Sequence, residues 1–354
     1  MAKLSVHLVT WNGEKYIPYL FESLKKQTFL DWELQVLDNA STDNTLQKIK
    51  NNIESIGVPF TITENKENSG FAGGHNMLFK KTDSEYFLLL NQDMYLSSNC
   101  FENMIEFMDR REDVVAVSPR LMRWNLDKIQ NTHNKIQNIE KSFTDQIDAI
   151  GMKVFRNRRV VEWMTRHSWQ NSDISKSGKR ELEVFGVSGA FPLFRRSIIN
   201  EIVFLDGNMF DESYHSYKED VDLAFRLGSS GYKSFVLLDT VAYHDRAAAG
   251  PKALSDAAAA GNKKFQSSWV KYHSYKNHLV TLYKNEYWQN VLLDLPWIVW
   301  YELKKFGWYA VYDRGVLRGL VELWKNRCEI REKRQEIIKK RKMGWGDIRK
   351  WWSL

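Results

Sequence analysis

Two hydrophobic rhythms alternate along the first 120 residues. Residues 4–9 form a short apolar run of strand length, and Ile17, Leu20, Phe21 and Leu24 follow at helical spacing with Pro18 near the start. The alternation then repeats. Residues 33–37 read as a strand, Leu46, Ile49, Ile53 and Ile56 as an amphipathic helix, and residues 60–63 as the next strand. A Gly-rich turn leads to a helix near 75–81, a strand at 86–90, a helix marked by Phe101, Met104, Ile105 and Met108, and a strand at 114–117. Strands alternating with helices predict an α/β fold with a mainly parallel central sheet flanked by helices. In such sheets ligands sit beyond the carboxyl ends of the strands, which singles out residues 10–12, 38–41 and 91–93.

Periodicity fades over residues 119–183, which are polar and read as a lid or acceptor-facing insertion, or as a stretch hiding further elements. It returns at 184–194, in a helix at 220–228 and in a strand at 234–238. Residues 247–264 are rich in Ala, Gly and Lys and read as a mobile loop, and from about 266 the pattern is helical to the end. The division expected is a catalytic unit over 1–246, with halves at 1–118 and 119–246, followed by a loop and amphipathic helical region over 247–354.

The chain of 354 residues carries a formal charge of +7, and much of the excess lies in a basic run over 325–350. Such charge suits nucleic acid, anionic lipid or a polyphosphate; no nucleic-acid-binding module is recognisable. Cys100 and Cys328 form neither a disulfide framework nor a zinc spacing, which fits a reducing compartment. The N-terminus runs straight into a strand, so no signal peptide is expected. The apolar stretch 291–301 is broken by Asp294 and Pro296 and is too short to cross a bilayer. The tail mixes Trp288, Trp297, Trp300, Trp308 and Trp324 with basic residues. That pattern suits a helix lying on a membrane surface, or a helical cap packed on the catalytic unit or on a second subunit.

Five clusters could carry chemistry. Asp38, in Val36-Leu37-Asp38-Asn39-Ala40-Ser41-Thr42-Asp43, can accept a hydrogen bond from a base imide or a ribose hydroxyl, though helix capping explains part of the cluster. The turn Asn68-Ser69-Gly70-Phe71-Ala72-Gly73-Gly74-His75-Asn76 opens a helix and could cradle a diphosphate, or be an ordinary tight turn. Asp93, in Asn91-Gln92-Asp93, follows a buried strand and can bind a divalent ion, or be a solvated turn residue. In Lys218-Glu219-Asp220-Val221-Asp222 an ion pair of Asp222 with Arg226 leaves Glu219 and Asp220 at the helix lip for base chemistry. His244 follows the last strand; it is either structural or, with Asp93, a metal ligand that favours Mn²⁺ over Mg²⁺.

In this order, and with Ser188-Gly189-Ala190 and Phe210-Asp211-Glu212 between them, these segments resemble the family 2 glycosyltransferases over roughly residues 3–246, closest to a rhamnosyltransferase-like branch. The resemblance implies a nucleotide-sugar-binding fold of the GT-A type with a C-terminal helical extension. It also implies inverting, metal-assisted transfer of a sugar, rhamnose in that branch, to a hydroxyl of a saccharide acceptor that is often lipid-linked. Thr10, Asn12 and Asp38 would hold base and ribose of a dTDP or UDP donor. Gly70, Gly73, Asn76, Asn91, Gln92 and Ala190 would lie along it. Asp93, last in an Asp-x-Asp motif whose first position is here Asn91, would bind Mn²⁺ or Mg²⁺ with His244. Asp220 would be the base, with Glu219 its rival. The protein is then expected in the cytoplasm, at the inner face of a membrane. The competing readings are a nucleotide-sugar-binding protein without turnover and a membrane scaffold acting through its tail, and deletion beyond about residue 285 would separate scaffold from enzyme.

Overall fold

The computed structural model describes residues 2–130, 136–246, 251–253 and 255–353. Its first half follows the alternating pattern: β1 (Leu4–Thr10), α1 (Ile17–Lys25), β2 (Trp32–Asp38), α2 (Thr45–Asn52), β3 (Phe60–Glu64), α3 (Gly70–Lys81), β4 (Tyr86–Asn91), β5 (Met94–Leu96), α4 (Cys100–Asp109) and β6 (Val114–Trp124). Strands β4, β1, β2 and β3 are parallel neighbours, because a helix between each strand and the next in sequence, α1, α2 and α3, returns the chain to the starting edge. The register sets Thr10 beside Asp38, so two candidate side chains end adjacent strands.

Residues 119–183 hold more regular structure than their polarity suggests. After α5 (Asp127–Gln130) come β7 (Phe143–Ala149), β8 (Met152–Phe155), β9 (Val160–Glu162), α6 (Asp173–Lys176) and β10 (Glu181–Val184). Three of these strands have four residues or fewer, too short to display a period, and β6 continues through Pro119. Then follow β11 (Leu193–Arg195), α7 (Arg196–Ile202), α8 (Glu219–Ser229) and β12 (Lys233–His244). Strand β11 lies between β4 and β6, antiparallel to both, so the sheet is parallel at one end and mixed at the other, in the order β10-β12-β6-β11-β4-β1-β2-β3. One face buries Leu20, Phe21, Ile49, Phe101 and Met104 from α1, α2 and α4, and the other buries Phe79, Ile199 and Leu223 from α3, α7 and α8.

The Ala-rich stretch is helical over α9 (Asp256–Lys264), which corrects the loop expected there; residues 247–250 and 254 lie outside the described residues. The tail continues as α10 (Ser268–Asn285), α11 (Trp288–Tyr312), α12 (Arg318–Lys325), α13 (Arg327–Lys340), α14 (Trp345–Ile348) and β13 (Trp352–Ser353). Strand β13 returns to pair in parallel with β8.

Charge pairs fasten this tail. Lys284 of α10 is fully buried and meets Asp211 at 2.6 Å and Asp222 at 3.1 Å, while Lys333 of α13 meets Asp211 at 2.7 Å. Asp294, which interrupts the apolar stretch of α11, receives Arg156 at 2.6 Å and Arg158 and Arg349 at 3.0 Å. The opposite face of α11 is bare: Trp288, Leu292, Trp300 and Leu303 are exposed.

Candidate functional site

At the carboxyl ends of β1 and β2, the Thr10 hydroxyl donates to Asp38 Oδ1 at 3.2 Å, and Asp38 Oδ2 accepts the Ser41 N–H at 3.0 Å. Asn12 adopts a positive φ of 48°; its N–H donates to Ser41 Oγ and its Oδ1 accepts the Thr42 N–H. Gln92 clamps the same loop, accepting the Trp11 N–H and donating to the Trp11 carbonyl, both at 2.9 Å. Thr10, Asn12, Asp38 and Gln92 are thus tied into one shelf at the strand ends.

The glycine segment is used differently from a phosphate cradle. Gly70, with φ 74°, passes so close to the turn after residue 212 that an added Cβ would lie 2.4 Å from the His215 carbonyl oxygen. Gly73 is one turn inside α3, facing Ser69. Asn76 is buried, and its amide both donates to the Phe210 carbonyl and accepts the Phe210 N–H at 2.9 Å. Gly70, Gly73 and Asn76 therefore hold α3 against the segment before α8, and none of the three borders the cavity described next.

That cavity, about 560 Å³ in volume, is bordered by Asn91, Asp93, Ala190, Glu219, Asp220 and His244. Asn91 ends β4, and its N–H donates to the Ala190 carbonyl at 3.0 Å. His244 ends β12. Its Nε2 lies 3.3 Å from Asp93 Oδ1, and its Nδ1 lies 2.8 Å from Asp148 Oδ2. Burial by itself would lower the pKa of His244, but the facing carboxylates of Asp93 and Asp148 outweigh it and raise it to about 9.

The pair fits a small divalent ion. Two donors in cis positions at about 2.1 Å from an octahedral ion sit about 3 Å apart, close to the spacing of Asp93 and His244, and such ions take one or two carboxylates with phosphates and water completing the shell. Asp148 would orient the imidazole from behind. Among the described residues no group of three or more His, Cys, Asp or Glu forms a closed protein cage.

On α8, Asp220 accepts the Gly189 N–H at Oδ2, 3.1 Å away, and the Val221 N–H at Oδ1, 2.8 Å away. Glu219 is buried, its Oε2 has no hydrogen-bond partner, and burial followed by the charge of Asp220 pushes its carboxyl well above the usual range. The lip therefore carries one carboxylate aimed by two backbone N–H groups and one buried carboxyl whose ionisation is opposed by burial and by the charge of Asp220. Asp222 pairs with Arg226 at 3.1 Å, as helical spacing requires.

The turn before α8 is strained: His215, Tyr217 and Lys218 all have positive φ, of 58°, 72° and 72°. Asn277 of α10 fastens it, donating to the carbonyls of Tyr214, Ser216 and Tyr217 at 2.9, 3.0 and 2.7 Å.

Sequence reasoning missed several cavity residues. Arg246 donates to Ser188 Oγ at 2.8 Å and Glu162 Oε1 at 2.9 Å, and lies 3.0 Å from Asp148. It stands two residues beyond His244, so strand alternation could have placed both on one face. Glu162 ends the three-residue β9, and Asp148, which backs the cavity through His244, lies in β7; nothing local marks either.

Comparison with known proteins bears on the family and the fold. The family model described as "Glycosyl transferase family 2" matches residues 5–203. Poly(ribitol-phosphate) beta-N-acetylglucosaminyltransferase TarS of Staphylococcus aureus is 32% identical over 120 residues, covering 33% of this chain and 21% of that protein. UDP-Glc:alpha-D-GlcNAc-diphosphoundecaprenol beta-1,3-glucosyltransferase WfgD of Escherichia coli is 30% identical over 105 residues, covering 30% of this chain and 40% of that protein. The matched segments thus span well under half of these relatives. Among solved structures, GalNAc-T7 with UDP, GalNAc and Mn²⁺ superposes with a TM-score of 0.57 at 12% identity, covering 80% of this chain and 48% of that one. A mannosyltransferase of Pyrobaculum calidifontis with GDP-Man and Mn²⁺ gives 0.50 at 14% identity, covering 96% and 86%. The α/β architecture is therefore GT-A-like, and with more than half of its length matched by the family model, the chain belongs to glycosyl transferase family 2.

Proposed function

We propose that the protein transfers a sugar from a nucleotide diphosphate sugar to a hydroxyl of a saccharide acceptor, with inversion, in the assembly of a cell-surface polymer. The observation that carries this is one cavity bordered both by the Asp93–His244 pair and by the oriented carboxylate of Asp220.

Each residue then has a task. The Thr10–Asp38 shelf accepts hydrogen bonds from base and ribose, and Asn12 and Gln92 fix the loop that lines it. Asn91 and Ala190 border the sugar. Asp93 and His244 would hold Mn²⁺ or Mg²⁺, and such an ion would supply neutralisation of charge on the departing diphosphate. Asp220 takes the proton from the acceptor hydroxyl; the Gly189 and Val221 N–H groups aim it, and attack from the face opposite the diphosphate inverts the anomeric centre. Glu219, whose ionisation burial and the charge of Asp220 oppose, is the weaker candidate for the base.

The relatives named above carry N-acetylglucosamine or glucose, and WfgD takes it from UDP, which supports a UDP donor. The order of motifs alone supports rhamnose on dTDP. A thermal-shift panel of UDP, dTDP and GDP with and without Mn²⁺ tests both: binding at a hundred times Kd stabilises by about 2.7 kcal/mol. Stabilisation by UDP with Mn²⁺ is expected. A dTDP preference would select the rhamnosyl reading, and indifference to all three would refute the proposal.

A lipid-linked acceptor and work at the cytoplasmic face of a membrane are supported by α11. No described helix is long and apolar enough to cross a bilayer, yet α11 presents Trp288, Leu292, Trp300 and Leu303 outward, with Lys304 over the Trp300 ring. Trp300→Glu with Leu303→Glu should release the protein from sedimenting anionic vesicles while leaving its melting temperature unchanged.

A further inference from the structure

Arg246 borders the cavity and is held at every nitrogen of its guanidinium, by partners from three separate segments. Nε lies 3.0 Å from Asp148 Oδ2 in β7. Nη1 donates to Glu162 Oε1 in β9 at 2.9 Å, and Nη2 donates to Ser188 Oγ, between β10 and β11, at 2.8 Å. The planar fork is thereby fixed in one orientation, since turning about any one contact lengthens the others.

Two of these contacts lead on to groups assigned to the reaction. The Asp148 oxygen that meets Arg246 is the same one that meets His244 Nδ1, at 2.8 Å, so the guanidinium sets the carboxylate that orients the imidazole. Ser188 precedes Gly189, whose N–H donates to Asp220 Oδ2 at 3.1 Å. Gly189 has little room to shift: a Cβ added to it would lie 3.4 Å from both Asp220 Cβ and Phe71 Cζ. Holding Ser188 therefore holds the peptide that aims Asp220. Charge balance accounts for the contacts with Asp148 and Glu162, but not for the one with a neutral hydroxyl.

We propose that Arg246 is a positioning residue that couples the two halves of the transfer site, keeping the His244 ring facing Asp93 and the Asp220 carboxylate on the Gly189 N–H in one arrangement. The inference rests on the reading of Asp93, His244 and Asp220 as that site. Cutting the links one at a time should then divide the defect. Asp148 serves the metal end, Ser188 serves the base end, and Arg246 serves both.

The test uses the full chain and two measurements. Mn²⁺ affinity at saturating UDP or dTDP is read by electron paramagnetic resonance. The kcat for nucleotide release at saturating Mn²⁺ is measured with whichever of UDP-glucose, UDP-N-acetylglucosamine and dTDP-rhamnose the unmutated protein turns over fastest. Arg246→Gln should weaken Mn²⁺ binding and lower kcat, each by about tenfold or more, as loss of a group that orients a metal ligand implies. Asp148→Asn should weaken Mn²⁺ binding, whereas Ser188→Ala should lower kcat with Mn²⁺ affinity unchanged. Arg246→Lys, whose single ammonium does not reproduce the fork, should resemble Arg246→Gln. Arg180→Gln, which removes an equal charge from an exposed pair with Asp239, should match the unmutated protein in both measurements. If Arg246→Gln fails to fold, Asp148→Asn and Ser188→Ala decide the matter with the same expectations. Recovery of both measurements in Arg246→Lys would reduce the residue to a charge and overturn the coupling. An unchanged kcat in Ser188→Ala, or a loss of Mn²⁺ affinity there equal to its loss of kcat, would overturn it as well. Absence of both Mn²⁺ binding and turnover in the unmutated protein overturns the transfer site instead.

Discussion

Asn277 offers the most direct way to ask whether the helical tail shapes the chemistry. Its amide holds the turn that carries Lys218, Glu219 and Asp220, through three backbone carbonyls. Three residues of that turn have positive φ without being glycine, and each such conformation costs on the order of 1–3 kcal/mol. Two amide hydrogens serve the three carbonyls, so the net contribution is about two hydrogen bonds at about 1 kcal/mol each. Asn277→Ala removes roughly 2 kcal/mol from a strained segment, which would lower the population of the aligned turn about thirtyfold if none is recovered elsewhere. The expected result is a fall in kcat of about tenfold to thirtyfold with the donor KM nearly unchanged, because the Thr10–Asp38 shelf lies elsewhere. Steady-state rates of UDP release at saturating donor, beside a melting curve, provide the assay. An unchanged kcat in a variant whose melting temperature has dropped would refute the positioning role and leave Asn277 a purely structural residue.

Other outcomes follow from the same geometry. Asp220→Asn should cost about 10²–10⁴ in kcat, whereas Glu219→Gln should cost little; equal losses measured by UDP release would reverse the assignment. Because the folded pKa of Glu219 is raised, its burial carries no penalty below the ordinary Glu range; a penalty grows as pH rises above that range and levels off above the folded pKa. Glu219→Gln should therefore stabilise the protein in urea titrations at pH 8 and not at pH 4. Lys284→Met leaves Asp211 and Asp222 buried with one cation fewer and should cost about 3–5 kcal/mol, a loss that Asp211→Asn in the same chain should partly reverse. Gln92→Ala frees the Trp11 loop and should weaken UDP binding in the thermal-shift panel.

What the sequence revealed and what it hid divide along physical lines. Asp38 and Asp93 were legible because parallel strands bring their carboxyl ends to one edge, so a polar residue after an apolar run is placed by topology alone. The place of Asn76 was hidden because helix position says where a residue starts, not where its amide goes; Phe210, 134 residues away, engages both its Nδ2 and its Oδ1, and Glu212 takes a second Nδ2 hydrogen bond. Asp148 and Arg246 were invisible for a related reason. Each is an ordinary charged residue until the polar insertion folds across β12 and brings them to 3.0 Å.

The tail raises a further question about how an enzyme and a scaffold are to be told apart. Deletion beyond residue 285 looks decisive in the sequence, where the helices read as an appendage. The structure makes that cut uninformative. It removes Glu286 and Asp294, the carboxylates that neutralise fully buried Arg158, and Lys333, which helps hold Asp211. A buried guanidinium left without either partner costs several kcal/mol, a large part of a protein's whole stability. The truncated chain is expected to be insoluble or molten, and its loss of donor hydrolysis would say nothing about chemistry. The discriminating change must leave those pairs intact, and the exposed face of α11 allows it. Trp300→Glu with Leu303→Glu leaves Asp294 in place. If the protein acts only as a membrane scaffold, that variant loses its function outright. If it is a transferase, UDP release from donor in solution should persist at the unmutated rate while vesicle binding is lost, and a parallel fall in both would show that surface and site are not separable.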